Sequence, residues 1–287
     1  MLGSERKGSL CLIAASVFWS LGGVCIKFIP WTAMSIISLR ACFAAVVFAI
    51  FRKSLKVKLT KGNCLAAACL SGTTILFVFA NQLTTAAAVI LLQFTSPVWI
   101  LLVNFVFYRK KPKLSEALAV VFTLIGMTLF FGDELGEGHL LGNMLAIGSG
   151  LTFAGVILFN KRADADPQHS IMLGFYFNTF FWLPFVFMDK GITAELLPWA
   201  LIVLLGVVQV GLAYVFFSIG IRTTPALLAC LITALEPVLN PLWVAIFTPE
   251  RPGRLALVGG IVILVTIVLY NVWEERQRAS HSRAREP

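Results

Sequence analysis

The sequence predicts an all-α membrane protein in which ten transmembrane helices form two inverted five-helix repeats. Three observations lead to this fold class: an apolar composition, a series of apolar runs as long as a bilayer is thick, and a weak internal repeat. Of the 287 residues, 59% are hydrophobic and 13% are charged, whereas soluble domains carry about 25% charged residues. The polar residues that would cover a water-soluble fold are missing, and lipid is the solvent that suits this chain.

Each of the ten apolar runs has roughly the 20 residues that a helical span needs. The runs are continuous rather than alternating, which favours helices over a β-barrel, and a helix satisfies its own backbone hydrogen bonds in lipid. The first run is too long for a signal peptide, so we expect it to be retained. The predicted spans are 9–29, 34–51, 64–82, 86–107, 114–131, 140–159, 170–188, 196–219, 226–247 and 255–273.

The positive charges predict the orientation. If both termini are cytoplasmic, the cytoplasmic segments hold 18 of the 23 Lys and Arg residues, as the positive-inside rule requires. The acidic loop 132–139 then lies outside. The net charge of +9 is explained by these loops, so we expect no nucleic-acid partner. We predict a multi-pass protein of the cell (inner) membrane, with lipid around it and a basic cytoplasmic tail at 276–287.

The chain divides into two similar halves, 1–135 and 136–275. "TTAAAVILLQFTSPVWILL" from Thr84 resembles "TTPALLACLITALEPVLNPLW" from Thr223, and Pro97 and Pro237 stand 140 residues apart. Because five spans is an odd number, the second half must enter the membrane with the opposite polarity. Inverted repeats of this kind are typical of secondary transporters, which bind substrate near the midplane between the halves.

Glu236 is the carboxylate that falls near a predicted midplane, and a charge there costs about 2.5–3.5 kcal/mol even on lenient insertion scales. It precedes Pro237, which cannot donate to the helical hydrogen-bond ladder and so opens the helix beside it. Glu236 is therefore predicted to face a polar cavity, where it could hold a proton or pair with a substrate amine. The alternative is a protonated Glu bonded to a neighbouring helix.

Other polar and aromatic residues fall at similar depth. Gln93 and Ser96 are the symmetry-related counterparts of the Glu236 region, Asn240 lies one turn after Glu236, and Trp19 offers a ring for stacking or cation binding. Tyr176 and Asn178 have a weaker claim, and packing between helices is the alternative for all of them. The predicted substrate-binding set is Glu236, Trp19, Gln93, Ser96, Asn240, Tyr214, Gln209 and Asn81.

Two cations near the predicted membrane interface are interpreted differently. Arg40, in the outer half of the second span, and Lys27, at the end of the first, are expected to snorkel toward the headgroups. Gating or anion binding is the alternative for each.

Motifs for catalysis or metal binding are not found. The sequence has no Walker-type phosphate loop, HExxH, GxSxG or Asp-rich metal motif, and its six cysteines form no CxxC or Cys/His cluster. We therefore expect no catalytic residues, no cofactor, no metal site and no enzymatic activity.

The segment "LEPVLNPLWVAIFTPERPGRLALVGGIVIL" from Leu235 resembles the end-of-repeat pattern of the EamA-type transporters in the drug/metabolite transporter superfamily. Glu250 stands at the acidic position of that pattern. The first half departs from it, with Arg109 and Lys110 at the acidic position and Gly126 at the glycine of the next helix. The resemblance implies ten spans in two inverted repeats, cytoplasmic termini, and a cavity lined mainly by the first, third and fourth helices of each repeat.

The preferred hypothesis is a secondary active transporter, with export implied by the resemblance, of small polar metabolites such as amino acids or other amine-bearing compounds. It would act by alternating access, with protons as a possible coupling partner at Glu236 and a monomer as the expected state. A quaternary-ammonium, choline or drug transporter of the same fold is the alternative. Less favoured are a sugar-nucleotide or phosphometabolite carrier, which would want more midplane cations, and an intramembrane enzyme or sensor.

Overall fold

The computed structural model describes residues 2–21, 29–84, 86–131, 140–239 and 253–283, and the regular secondary structure of these residues is helical. The predicted Asn240 and Glu250 lie outside the described residues. The helices are α1 (Leu2–Ser20), α2 (Ala33–Arg52), α3 (Lys61–Leu83), α4 (Ala86–Gln93), α5 (Ser96–Tyr108), α6 (Leu114–Phe131), α7 (Leu140–Phe159), α8 (Pro167–Met188), α9 (Leu196–Leu204), the π segment (Leu205–Leu212), α10 (Ala213–Thr223), α11 (Ala226–Thr233) and α12 (Arg254–Arg283).

Seven helices in the described ranges are long and apolar enough to cross a membrane, which confirms an all-α, membrane-spanning class. They are Ala33–Arg52, Lys61–Leu83, Ala88–Tyr108, Leu140–Phe159, Pro167–Met188, Leu196–Thr223 and Arg254–Glu274. Leu114–Phe130 and Ala226–Leu239 are shorter apolar helices. The predicted total of ten spans and their inversion stay predictions.

Some helices extend beyond the predicted spans, because helical hydrogen bonding continues past the end of the apolar run. Helix α1 begins at Leu2 rather than near residue 9, because helical hydrogen bonding continues through a charged turn that contains Arg6 and Lys7. Helix α12 likewise continues to Arg283, past the apolar run. The predicted span 86–107 is divided at residues 94–95, between α4 and α5.

Local sequence explains where several helices start. The Thr32 and Thr60 hydroxyls accept hydrogen bonds from the backbone N–H groups of Ser35 and Asn63, and so cap α2 and α3. Asp166 caps α8 and is followed by Pro167, whose fixed φ suits the first helical position.

The helices pack in pairs that relate the two halves. Helix α1 packs along α10 and α11, while α7 packs along α3 and α4. Helix α2 packs against α8 and the π segment, and α6 packs against α12. At the α6–α12 crossing a Cβ on Gly126 would lie 3.0 Å from the Gly259 carbonyl oxygen, so small residues allow the close approach that membrane helices use.

Candidate functional site

A cavity of about 90 Å³ lies at the centre of the bundle, where helices from both halves meet. Its wall includes residues of α1, α2, α3, α7, α8, α10 and the π segment, and of two interrupted helices, α4–α5 and α11 with the helical stretch 235–239. Its polar lining includes Arg40, Gln93, Ser96, Asn178, Gln209, Tyr214 and Glu236. Helices α2 and α8 therefore contribute, in addition to the first, third and fourth helices of each half that the family resemblance implied.

Six of the eight residues predicted from the sequence line this cavity: Trp19, Gln93, Ser96, Gln209, Tyr214 and Glu236. Asn81 does not line it, because its side-chain amide donates a 2.9 Å hydrogen bond to the Phe77 carbonyl one turn earlier in α3. The position of Asn240 is outside the described residues. Tyr176 points to the bundle end, where its hydroxyl donates to the Leu55 carbonyl at 2.8 Å.

Two broken helices bring backbone turns and polar side chains to the cavity. Helix α4 ends at Gln93, and α5 starts at Ser96 with Pro97 in its first turn. Helix α11 ends at Thr233, a turn at Ala234 follows, and the chain is helical again over 235–239, which contains Glu236. Proline removes a backbone donor at each restart, so both helices break two or three residues before it.

Threonine hydroxyls satisfy backbone carbonyls at both breaks. Thr95 donates to the Leu92 carbonyl at 2.7 Å, and Thr233 donates to the Cys230 carbonyl at 2.7 Å. The breaks are also joined to each other, since Ser96 Oγ and Cys230 Sγ are 3.1 Å apart in a buried contact. The two interruptions thus hold each other at the same depth of the bundle.

Aromatic rings form one wall of the cavity. Trp19 contacts Tyr214 and Phe217 with ring centroids 5.1 Å and 5.2 Å apart, and Phe175 meets Tyr214 at 5.5 Å. Trp19–Tyr214 and Phe175–Tyr214 are edge-to-face contacts, and an aromatic wall of this kind can cover an apolar group or attract a cation.

The expectation that Arg40 snorkels toward the headgroups is wrong. Arg40 is buried, with 7% of its surface exposed, and it lines the central cavity rather than reaching for the headgroups. It is close enough to Tyr214 and Glu236 to interact with both electrostatically. The sequence already marked Arg40 as a candidate, because an ionisable residue inside a span is a functional candidate by default. The direction in which its side chain points depends on the rotation of α2.

The π segment places Gln209 beside the aromatic wall. Such segments are rare and often occur at functional sites. The Gln209 amide nitrogen donates to the Trp19 carbonyl at 3.5 Å, while its oxygen is buried and has no hydrogen-bond partner. The oxygen of Asn178, on α8, is also buried without a partner. Both residues line the cavity, and a buried acceptor without a donor is unusual in a folded protein.

A hydrogen-bonded cluster joins the first turn of α3, the α7–α8 linker and the last turn of α10 at one end of the bundle. The Arg222 guanidinium donates to Asp166 at 2.6 Å, and the Asp166 backbone N–H donates to the Asn63 side-chain oxygen at 2.7 Å. The backbone N–H of Gly62 donates to Asp164 at 2.8 Å. We call Gly62, Asn63, Asp164, Asp166 and Arg222 the end cluster; it ties the start of α3 and the α7–α8 linker to α10.

The aspartates of the end cluster have lowered pKa values. The Gly62 N–H, with help from the Arg162 guanidinium, lowers the pKa of Asp164. Burial raises the pKa of Asp166, but the hydrogen bonds from the Gln168 N–H and from Arg222 outweigh it and lower the pKa overall. Both carboxyls are therefore charged at neutral pH.

In comparisons with known proteins, this chain is similar to a transporter family and to two uncharacterized transporters. A family model described as the EamA-like transporter family matches residues 6–132 and again residues 140–272. The chain is 23% identical over 191 residues to an uncharacterized transporter, YxxF, of Bacillus subtilis (strain 168), covering 65% of this chain and 61% of that protein. It is 27% identical over 205 residues to an uncharacterized transporter of Archaeoglobus fulgidus, covering 69% of this chain and 71% of that protein.

A solved crystal structure also resembles this chain. It has a TM-score of 0.80 and 15% sequence identity, covering 94% of this chain and 98% of the other. At that identity the likeness concerns the fold.

Proposed function

The chain belongs to the EamA-like transporter family, and from that premise we propose that it is a secondary active exporter of small polar, amine-bearing metabolites such as amino acids. The observation that carries this proposal is the Glu236 carboxylate at a helix break, facing the central cavity. No described residue forms a hydrogen bond or a close ion pair with the Glu236 carboxylate. A carboxylate so placed is a binding partner for an ammonium group.

The aromatic wall supports an organic amine. Trp19 and Tyr214 lie beside Glu236 along the cavity, and their ring faces attract cations and cover apolar groups. The same wall supports the second candidate, a quaternary ammonium such as choline or a cationic drug. A primary amine has N–H donors, whereas a quaternary ammonium has none. The side-chain oxygens of Asn178 and Gln209 have no hydrogen-bond partner, which favours the primary amine.

Two inverted five-helix repeats, with ten transmembrane helices, are the architecture that we propose. The family model matches the chain twice, over 6–132 and 140–272. The helix pairs support a two-fold relation, because α1 against α10 and α11 mirrors α7 against α3 and α4. Rocking of one repeat against the other would expose the cavity to each side in turn.

The end cluster supports a role for this end of the bundle in alternating access. It links the start of α3 in the first half to the α7–α8 linker and α10 in the second, so opening this end requires these contacts to break. The basic residue Arg222 belongs to it, and Arg52 and Lys161 lie near it, which supports a cytoplasmic location for this end and for both termini. We propose residence in the cell membrane as a monomer, with lipid around it.

Ligand-induced thermal stabilisation of the purified protein tests the proposal. Amino acids, polyamines, quaternary amines and sugar phosphates are compared on wild type, Glu236→Gln and the control Glu116→Gln. Glu116 is a carboxylate at the start of α6 that accepts a hydrogen bond from the Lys113 N–H. We expect stabilisation by one amine class, lost in Glu236→Gln and kept in Glu116→Gln, and matching uptake into proteoliposomes. Stabilisation by anionic ligands alone would contradict the proposal.

A further inference from the structure

The cavity contains one charge of each sign. Among the described residues that line it, Arg40 is the only cation and Glu236 the only anion. Each interacts electrostatically with the other, without a direct hydrogen bond between them. The pair comes from α2 and from the second broken helix, so opposite halves of the sequence supply the two charges.

The Arg40 guanidinium has unused hydrogen-bonding capacity. Its five N–H donors form a planar fork that fits a carboxylate with two parallel hydrogen bonds. None of the described residues accepts a hydrogen bond from it, although the side chain is buried. A buried charged group is ordinarily paired, so this fork is placed to receive an acceptor from outside the chain.

We propose that Arg40 binds the carboxylate of the substrate, so that the site selects a zwitterion whose amine and carboxylate lie a few bonds apart. This inference rests on the proposed function, in which Glu236 binds the amine. Arg40 is then the residue that determines specificity between amino acids and amines that lack a carboxylate.

Electrostatics favours the zwitterion over either single charge. A zwitterion brings no net charge into the low-dielectric centre, and each of its charged groups meets an opposite charge. A plain cation beside Glu236 leaves Arg40 uncompensated, and a plain carboxylate beside Arg40 leaves Glu236 uncompensated. Quaternary ammonium compounds without a carboxylate are therefore disfavoured.

Neighbouring groups complete the match. The side-chain oxygens of Asn178 and Gln209 are buried and unpartnered, and an ammonium group has N–H donors to spare for them. The cavity volume of about 90 Å³ is below the roughly 300–1,000 Å³ of drug-sized sites. The space suits a small molecule whose polar end spans the two charges and whose apolar end meets Trp19.

Packing fixes the direction in which Arg40 points. The Ser38 hydroxyl, two residues earlier on α2, donates to the Thr179 carbonyl of α8 at 2.9 Å. On the other side Gly206 of the π segment lies against Arg40 itself, since a Cβ at Gly206 would be 2.9 Å from the Arg40 carbonyl oxygen. Helix α2 is held between α8 and the π segment with this residue turned inward.

Matched ligands test the inference on the full-length protein. L-Leucine carries both charges, L-leucinamide only the amine and 4-methylpentanoate only the carboxylate; an alanine series of the same three types covers smaller ligands. Binding is measured by isothermal calorimetry on wild type, Arg40→Gln, Arg40→Lys and Glu236→Gln. We expect wild type to bind one amino acid at least tenfold more tightly than its amide and its deaminated analogue.

The variants separate the two charged contacts. Arg40→Gln should weaken amino-acid binding at least tenfold and leave amide binding unchanged or tighter, because a repulsive cation is removed. Arg40→Lys, which keeps the charge and loses the fork, should weaken amino-acid binding at least threefold and serves if Arg40→Gln does not fold. Glu236→Gln should weaken binding of the amino acid and of the amide alike.

The outcomes distinguish the two proposals. Equal wild-type affinity for amide and amino acid, or equal losses of both in Arg40→Gln, would overturn the role of Arg40 while the amine transporter stands. Absence of binding by both amines in wild type would overturn both proposals.

Discussion

Trp19 meets Tyr214 edge to face at the centre of the molecule, with ring centroids 5.1 Å apart. The two residues come from α1 and α10, almost two hundred positions apart in the sequence, and Phe217 packs against both. The contact joins the two halves of the chain at the cavity wall, so Trp19 has a structural role and a proposed binding role that can be separated.

Trp19→Leu should weaken binding of the stabilising amine by about 2- to 30-fold, which corresponds to the loss of a cation–π contact of about 0.5–2 kcal/mol. Trp19→Phe should recover part of the affinity because it keeps a ring. The matched control is Trp182→Leu, which removes a tryptophan that packs among Phe181 and Phe185 of α8 and does not line the cavity. Calorimetric titration checks this, and an equal loss of affinity in Trp182→Leu would assign the effect to general destabilisation.

Gly206→Ala should destabilise the protein by about 1–3 kcal/mol, the usual range for overpacking. A Cβ there would lie 2.5 Å from Phe43 Cβ and 2.9 Å from the Arg40 carbonyl oxygen, so α2 must move away from the π segment. Gly148→Ala is the control, because its Cβ would meet only the Leu76 Cδ1 methyl, at 3.3 Å. Thermal unfolding in detergent should show a lower Tm for Gly206→Ala alone; matching Tm values for the two variants would refute the packing argument.

Asp166→Asn should loosen the end cluster while preserving the cap of α8, since Asn caps a helix as well as Asp does. The lost ion pair with Arg222 is about two-fifths exposed and so is worth about 0.2–1 kcal/mol, or about 1.4- to 5-fold in the population of the open end. The check is the rate at which a maleimide labels Thr224→Cys, a position that is buried beside the cluster, with the labelled site identified by mass spectrometry.

Glu195→Gln is the control for the end cluster, because Glu195 is an exposed carboxylate at the start of α9. It should leave the labelling rate unchanged. If Asp166→Asn also leaves the rate unchanged, the cluster does not restrain this end of the bundle.

The end cluster should not respond to pH between 8 and 5. The pKa values of Asp164 and Asp166 are lowered in the folded protein, so their stabilising contribution is present above the ordinary Asp pKa of about 3.9 and is lost as the pH falls below it. Transport measured from pH 8 to 5 should therefore have the same profile in wild type and Asp164→Asn. A flattened profile in Asp164→Asn would contradict this assignment.

Proton coupling through Glu236 makes a separate prediction for the same measurement. Glu236→Gln cannot exchange a proton, so its transport should be reduced and should lose its dependence on pH between 8 and 5. Undiminished transport with an unchanged pH profile would remove Glu236 from coupling.

Much of the fold and part of the site follow from one-dimensional pattern. Long apolar runs predict the helices that contact lipid, and the predicted spans 114–131 and 140–159 coincide with α6 and α7. Proline in a long apolar run predicts a helix break, so the polar residues next to Pro97 and Pro237 could be identified from their neighbours alone. Gln93, Ser96 and Glu236 lie at those breaks and line the cavity.

The rotation of each helix about its own axis was decided by tertiary packing. Arg40 faces the cavity because Ser38 and Gly206 fix α2 between α8 and the π segment, whereas hydropathy alone left it free to snorkel. Asn81 turns to the backbone of its own helix instead. Sequence determined which residues are buried in the membrane, because burial depends on composition along the chain. The tertiary structure decided which of them meet, because that depends on neighbours from the other half.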